Sequence, residues 1–219
     1  MRRHYLWWGL GTLLAAIALG AYLTIDEGAA EPYALDSWWH DLMVDVAPEA
    51  LITLAHVMNR IGGGWIAILV VPAVVAIGLL LAKRWRSAVF ALAAFAASAV
   101  LVQLLKQLFG RARPEDMLVL SDYGSYPSGH TANAATIAVV LCVLFPRLWM
   151  YALGVLWVLT MALSRTVLAV HWLTDTVGGA LVGASAALLI AAVLMPWVRG
   201  DVPTIGTAAD DDVEGICAG

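Results

Sequence analysis

The stretch at residues 88–114, AVFALAAFAASAVLVQLLKQLFGRARP, decides how the rest of the chain is read. Its first two-thirds carry no charge. As a helix rising about 1.5 Å per residue, they reach across most of a bilayer's hydrocarbon core. The stretch then runs into Lys106, Arg111 and Arg113. Cations at the end of an apolar span are costly to place at a membrane unless an anionic partner meets them.

Working outward, charge-poor stretches recur at about 5–25, 61–82, 130–145, 148–163 and 176–198, which makes six spans with 88–105 counted. The expected fold is all-α, an integral membrane bundle of six transmembrane helices in one domain over 1–199. Composition agrees. Of 219 residues, 62% are apolar and 13% charged, against about half and about a quarter in a soluble domain. The spans at 130–145 and 148–163 are short and need flanking residues or a thinner bilayer. Residues 5–25 exceed the apolar core of a signal peptide, so a retained anchor is expected over a cleaved leader. Residues 200–219, with Asp210, Asp211, Asp212 and Glu214, are expected to be an acidic, disordered cytoplasmic tail.

Lysine and arginine set the expected orientation. Arg2 and Arg3 precede the first span, Lys83, Arg84 and Arg86 fill the turn after the second, Arg147 follows the fourth and Arg199 the sixth. These ends are expected in the cytoplasm. The opposite loop from Asp26 to Glu49 holds seven acids and no lysine or arginine. Within it, Trp38, Trp39, Leu42, Met43 and Val46 recur at helical spacing opposite His40, Asp41 and Asp45, which predicts an amphipathic outer-face helix between spans one and two. Trp7, Trp8, Trp149, Trp172 and Trp197 fall near span ends, as in an aromatic belt.

Other classes find no support. A net charge of −4 is unsuited to nucleic acid. Cys142 and Cys217 belong at different depths and define no disulfide framework. No internal repeat suggests an inverted-repeat transporter, and no protein partner is evident.

Three segments at the expected outer ends hold the unusual polar residues: Lys106 with Arg113-Pro114, then Pro127-Ser128-Gly129-His130, then Ser164-Arg165 with His171 and Asp175. Lys106, Arg113 and Arg165 are cations suited to phosphate oxygens. Ser128 and Gly129 lie where a helix starts, with unpaired N–H groups and room for close approach of an anion. His171 has Asp175 four residues on. If that stretch is helical, both share a face, and the carboxylate can hold one ring nitrogen protonated and leave the other free to attack. His130 is then the candidate general acid. Singly, each residue has a plain structural role open to it, as a snorkelling lysine, an N-cap, a turn or a surface pair. Their gathering on one membrane face has none.

These spacings resemble those of the type 2 phosphatidic acid phosphatases, grouped with the vanadium haloperoxidases. Lys106, six residues, then Arg113-Pro114 resembles the first motif, Pro127-Ser128-Gly129-His130 the second, and Ser164-Arg165, five residues, His171, three residues, Asp175 the third. The resemblance implies a bacterial membrane lipid phosphatase in which His171 forms a phosphohistidine, Asp175 orients it and His130 serves as acid. It implies Lys106, Arg113, Ser128, Gly129 and Arg165 as phosphate ligands, and no metal or other cofactor. The expected substrate is a polyprenyl diphosphate or a glycerophospholipid phosphate such as phosphatidylglycerophosphate or phosphatidic acid, cleaved on the outer face of the plasma membrane. A vanadate-dependent haloperoxidase is disfavoured by the spans, and a non-enzymatic lipid-phosphate binder or transporter by the two histidines. No role follows for Ser164 or Arg111.

Overall fold

The computed structural model describes residues 2–25 and 32–199; the acidic tail lies outside them. Among these residues every regular element is helical. The helices are α1 (Arg2–Thr24), α2 (Ala34–Val46), α3 (Glu49–Gly62), α4 (Val71–Leu81), α5 (Trp85–Phe109), α6 (Gly129–Leu144), α7 (Leu148–Val167) and α8 (Leu173–Val198), with a π-helical turn at Ile66–Val70 leading into α4. Four of them, α1, α5, α7 and α8, are long and apolar enough to cross a membrane. The pair α3 and α4 passes that test only jointly and is bent by 52°, while α6 is apolar but shorter. The chain is a multi-pass membrane protein. Its outer faces carry Leu14, Leu69, Val74, Leu104, Leu156 and Val193 in the open, a surface that hydrocarbon tolerates and water does not.

The expected second span at 61–82 is therefore corrected. The apolar run starts at Ile61, yet the backbone breaks at Gly62–Gly64, with Gly63 extended and Gly64 at a φ of 56°. The helix before the break begins at Glu49, well upstream of the apolar run. Gly63 has a packing reason to lack a side chain, because a Cβ would collide with the His130 imidazole.

α8 lies at the centre, packed on α1, α5 and α6. Without a hydrophobic drive between helices in lipid, small residues and buried hydroxyls bring them together. At Gly183 any Cβ would run into the Ala132 carbonyl of α6. The Thr136 hydroxyl bridges Ser98 of α5 at 2.9 Å and the Gly183 carbonyl at 3.3 Å. The basic turns share one end of the bundle: Arg84 lies over the Phe145 ring, and Arg86 donates to the Trp197 carbonyl. The 110–128 connection and the α7–α8 turn close the other end, where Leu118 N–H donates to the Leu168 carbonyl at 3.0 Å.

Candidate functional site

Lys106 lies in the last turn of α5, and Gly110, at a φ of 56°, ends that helix so that the chain folds back over it. The connection is pinned by Ser125, whose N–H donates to the Arg111 carbonyl at 2.8 Å and whose hydroxyl donates to Ala112 at 3.0 Å. It is also pinned by buried Tyr126, which donates to the Ala16 carbonyl of α1 at 2.5 Å. This fold-back points Lys106 and Arg113 at one carboxylate oxygen of Asp122, 3.2 and 2.8 Å away. Lys106 donates also to the Gly124 carbonyl at 2.7 Å. Arg113 donates to the backbone carbonyls of Asp122, Gly124 and Val170.

Asp122 is absent from the sequence-derived site, yet it occupies the space between the two cations with its side chain 61% exposed. Burial would raise its pKa, but Lys106 and then Arg113 more than offset that and hold the carboxyl below its ordinary value. Burial lowers the Arg113 pKa, with Asp122 and Asp175 opposing. Two cations sharing one oxygen make an anion site, filled here by the protein's own carboxylate.

His171 adjoins this site. Its Nε2 is 3.3 Å from an Arg113 guanidinium nitrogen. Guanidinium can only donate, so Nε2 is an acceptor with its lone pair, and the ring proton belongs on Nδ1. Nδ1 is buried, without a hydrogen bond, and 3.6 Å from an Asp175 oxygen. That separation is an ion-pair distance slightly too long for a hydrogen bond. Burial pushes the His171 pKa down to about 4, against the pull of Asp175.

The expectation of one helix face for His171 and Asp175 is corrected. His171 precedes α8, which begins at Leu173, and Asp175 belongs to its first turn. The carboxylate faces back because the Trp172 N–H donates to it at 2.9 Å and Arg111 at 2.6 Å. The unassigned Arg111 also reaches Asp36 of α2 at 2.7 Å. Burial opposes the Arg111 charge, but Asp175 and Asp36 outweigh it and raise its pKa. The Trp172 indole N–H donates to the Ala112 carbonyl, and its ring packs on His40.

The remaining residues form a second half of the site. Arg165, 1% exposed, donates to the Asn59 side chain at 2.7 Å and the Ala55 carbonyl at 3.4 Å, both on α3. Its Nε donates to the Ser164 hydroxyl at 3.2 Å, which gives Ser164 a place the sequence did not suggest. His130, in the first turn of α6, has Nε2 3.3 Å from the Asn59 carbonyl. Ser128 is the α6 N-cap, accepting from Thr131 N–H at 3.5 Å, and its own N–H donates to the Asp175 carbonyl at 3.0 Å. Gly129 is the first residue of α6. Direct contacts thus link Arg113, His171 and Asp175, with Lys106 joined through Asp122 and Ser128 through the Asp175 backbone, while His130 and Arg165 meet on Asn59. Asn59 and Asp36 carry no motif; only their positions in the fold reveal them. Among the described residues no three His, Cys, Asp or Glu side chains are grouped to hold a metal ion.

The family model for the PAP2 superfamily matches residues 87–199, from the start of α5 to the end of α8. The chain belongs to the PAP2 superfamily. Among curated PAP2 relatives it is 33% identical over 114 residues to an undecaprenyl-diphosphatase of Sulfolobus acidocaldarius, covering 48% of this chain and 54% of that protein. It is 31% identical over 121 residues to a lipid A 4'-phosphatase of Bacteroides thetaiotaomicron, covering 48% and 53%. The chain thus spans about half the length of the curated relatives it matches. Among solved structures, a transmembrane PAP2-type phosphatidylglycerolphosphate phosphatase from Bacillus subtilis shares the fold with a TM-score of 0.68 at 24% identity, over 91% of this chain and 98% of that one. Aquifex aeolicus LpxE aligns with a TM-score of 0.62 at 25% identity, over 74% and 97%.

Proposed function

We propose that this PAP2 protein is a metal-independent membrane phosphatase that removes the terminal phosphate of a polyprenyl diphosphate or a glycerophospholipid phosphate through a phosphohistidine. The observation that carries the reading is Arg113, which holds the Asp122 carboxylate with Lys106 and also faces His171 Nε2. An anion exchanged for that carboxylate lies beside an unprotonated ring nitrogen. The relatives named above, phosphatases of lipid phosphates and diphosphates, support the same substrate class.

In the proposed reaction Nε2 of His171 attacks phosphorus, and the bond from phosphorus to the leaving oxygen breaks as the bond to nitrogen forms. Asp175 stabilises the charge that develops on the ring, which keeps its proton on Nδ1. His130 gives a proton to the departing oxygen, then takes one from the water that cleaves the phosphorus–nitrogen bond and releases phosphate. Lys106, Arg113 and Arg165, with the Ser128 hydroxyl and the Gly129 N–H, stabilise charge on the equatorial oxygens. Asn59 holds Arg165 and His130 in register.

The six-span arrangement is part of the proposal, with α3 and α4 as a broken second crossing and α6 as a short fourth. So are α2 as an outer interfacial helix and a site on the outer face, by the distribution of basic turns. An apolar cavity between α6, α7 and α8 begins at Ala135, on the same helix as His130, and suits a hydrocarbon tail.

Phosphate release by the detergent-solubilised protein, with chelator present, from undecaprenyl diphosphate, phosphatidylglycerophosphate and phosphatidic acid tests this reading. Turnover of one or more is expected. Silence on all three, or activity that needs added metal, contradicts it.

A further inference from the structure

The buried acid of α2 has no place in the reaction above. Asp36 is completely buried, and it is bonded on every side. One oxygen accepts from the Thr174 N–H at 2.9 Å, and the other from the Thr174 hydroxyl at 2.7 Å and from Arg111 at 2.7 Å. The other arm of Arg111 donates to Thr174 at 2.8 Å and to Asp175 at 2.6 Å. A continuous chain of charged side chains therefore runs from α2 through Arg111 to Asp175 and ends 3.6 Å from His171 Nδ1. Burying two carboxylates against one guanidinium is unfavourable unless the geometry is tight and the remaining lone pairs are bonded, and here both conditions are met. A bond from Asp36 to the Thr174 N–H would satisfy the start of α8 by itself. The additional arm through Arg111 fixes which way the Asp175 carboxylate faces.

We propose that Asp36 is a positioning residue for the histidine: through Arg111 it clamps the Asp175 carboxylate against His171 and so makes reactivity depend on the seating of α2. The inference rests on His171 being the nucleophile. Without Asp36, Arg111 would lose its anchor on α2, and the Asp175 carboxylate could turn together with the guanidinium. The preference for a proton on Nδ1 would then weaken, and with it the share of rings whose Nε2 can attack.

The test uses the full chain in detergent micelles, with dioleoyl phosphatidic acid as substrate and 15N-labelled histidines for the tautomer of His171 at neutral pH. Asp36→Asn keeps the shape of the side chain and removes its charge. It is expected to lower kcat roughly tenfold with KM changed less than about twofold, to shift the 15N pattern of His171 away from the Nδ1–H form, and to melt within a few degrees of the parent. Asp36→Glu should restore much of kcat. Arg111→Lys, which cannot span both carboxylates, should reproduce the Asp36→Asn behaviour and serves if the first variant folds poorly. Combining the two substitutions should cost little more than one of them. Unchanged kcat and an unchanged tautomer in folded Asp36→Asn or Arg111→Lys would overturn the proposal. So would effects of the two substitutions that simply add. The tautomer reports positioning apart from turnover, whereas phosphate release surviving His171→Ala would sink the nucleophile assignment while the 15N shift stood.

Discussion

Asp122 is the residue whose behaviour follows least from its type. An exposed aspartate on a connecting segment is ordinarily a solvated charge, yet here Lys106 and Arg113 both bind it. It competes with any incoming anion, so the competent fraction of the site is less than one. Asp122→Asn is therefore expected to bind orthovanadate, a phosphoryl mimic, about three- to tenfold more tightly by inhibition of phosphate release; weaker inhibition would show that Asp122 is needed to shape the cation pair. His171 gives a second prediction at this scale. Burial lowers its folded pKa from 6.5 to about 4, so between those values the unfolded chain binds more protons and stability falls as pH drops through the window. Relative to His171→Gln, the parent should lose about 3 kcal/mol between pH 7 and pH 4 by denaturation in detergent. Parallel losses in the two proteins would contradict this. The residue types Lys106, Arg113, His130, Arg165, His171 and Asp175 were legible because ionisable groups at a membrane end are too costly to keep without an anion or a reaction that uses them. Asp36, Asn59 and Asp122 were not, because their partners lie 75, 106 and 16 or 9 residues away and no spacing announces them.

At the scale of elements, hydropathy located the helices well and their ends poorly. α5 and α8 extend a turn or so beyond the apolar runs at 88–105 and 176–198, and those extensions carry Lys106 and Asp175. The break at Gly62–Gly64 was written in the sequence as a glycine run, but the unbroken hydropathy on its C-terminal side masked it. α3 is hidden for the opposite reason, since His56, Asn59 and Arg60 make it too polar to read as part of a span. The packing of α8 on α6 can be tested at one position. Gly183→Ala forces a methyl group against the Ala132 carbonyl and is expected to cost about 1–3 kcal/mol. Gly78→Ala in α4, where nothing lies within 4 Å of the added carbon, should be neutral or stabilising by up to about 1 kcal/mol. Thermal denaturation of the pair in one detergent checks both, and equal stability of the two variants would contradict the close approach of α6 and α8.

For the whole molecule, the basic turns gather at one end and the candidate site closes the other. With Cys142 and Cys217 replaced by alanine, a cysteine at Ser121 should react with an impermeant maleimide in intact cells, and one at Lys83 only after lysis. The reverse pattern would invert the proposed orientation. Whether His171 carries the phosphoryl group is decided by comparing the parent with His171→Ala after rapid acid-free quenching from a 32P-labelled lipid phosphate, with chelator present. The parent is expected to carry a label that survives base and is lost in acid, the variant to carry none, and phosphate release by the variant to fall at least about a thousandfold. A His171→Ala protein that still releases phosphate at a comparable rate would contradict that role for His171.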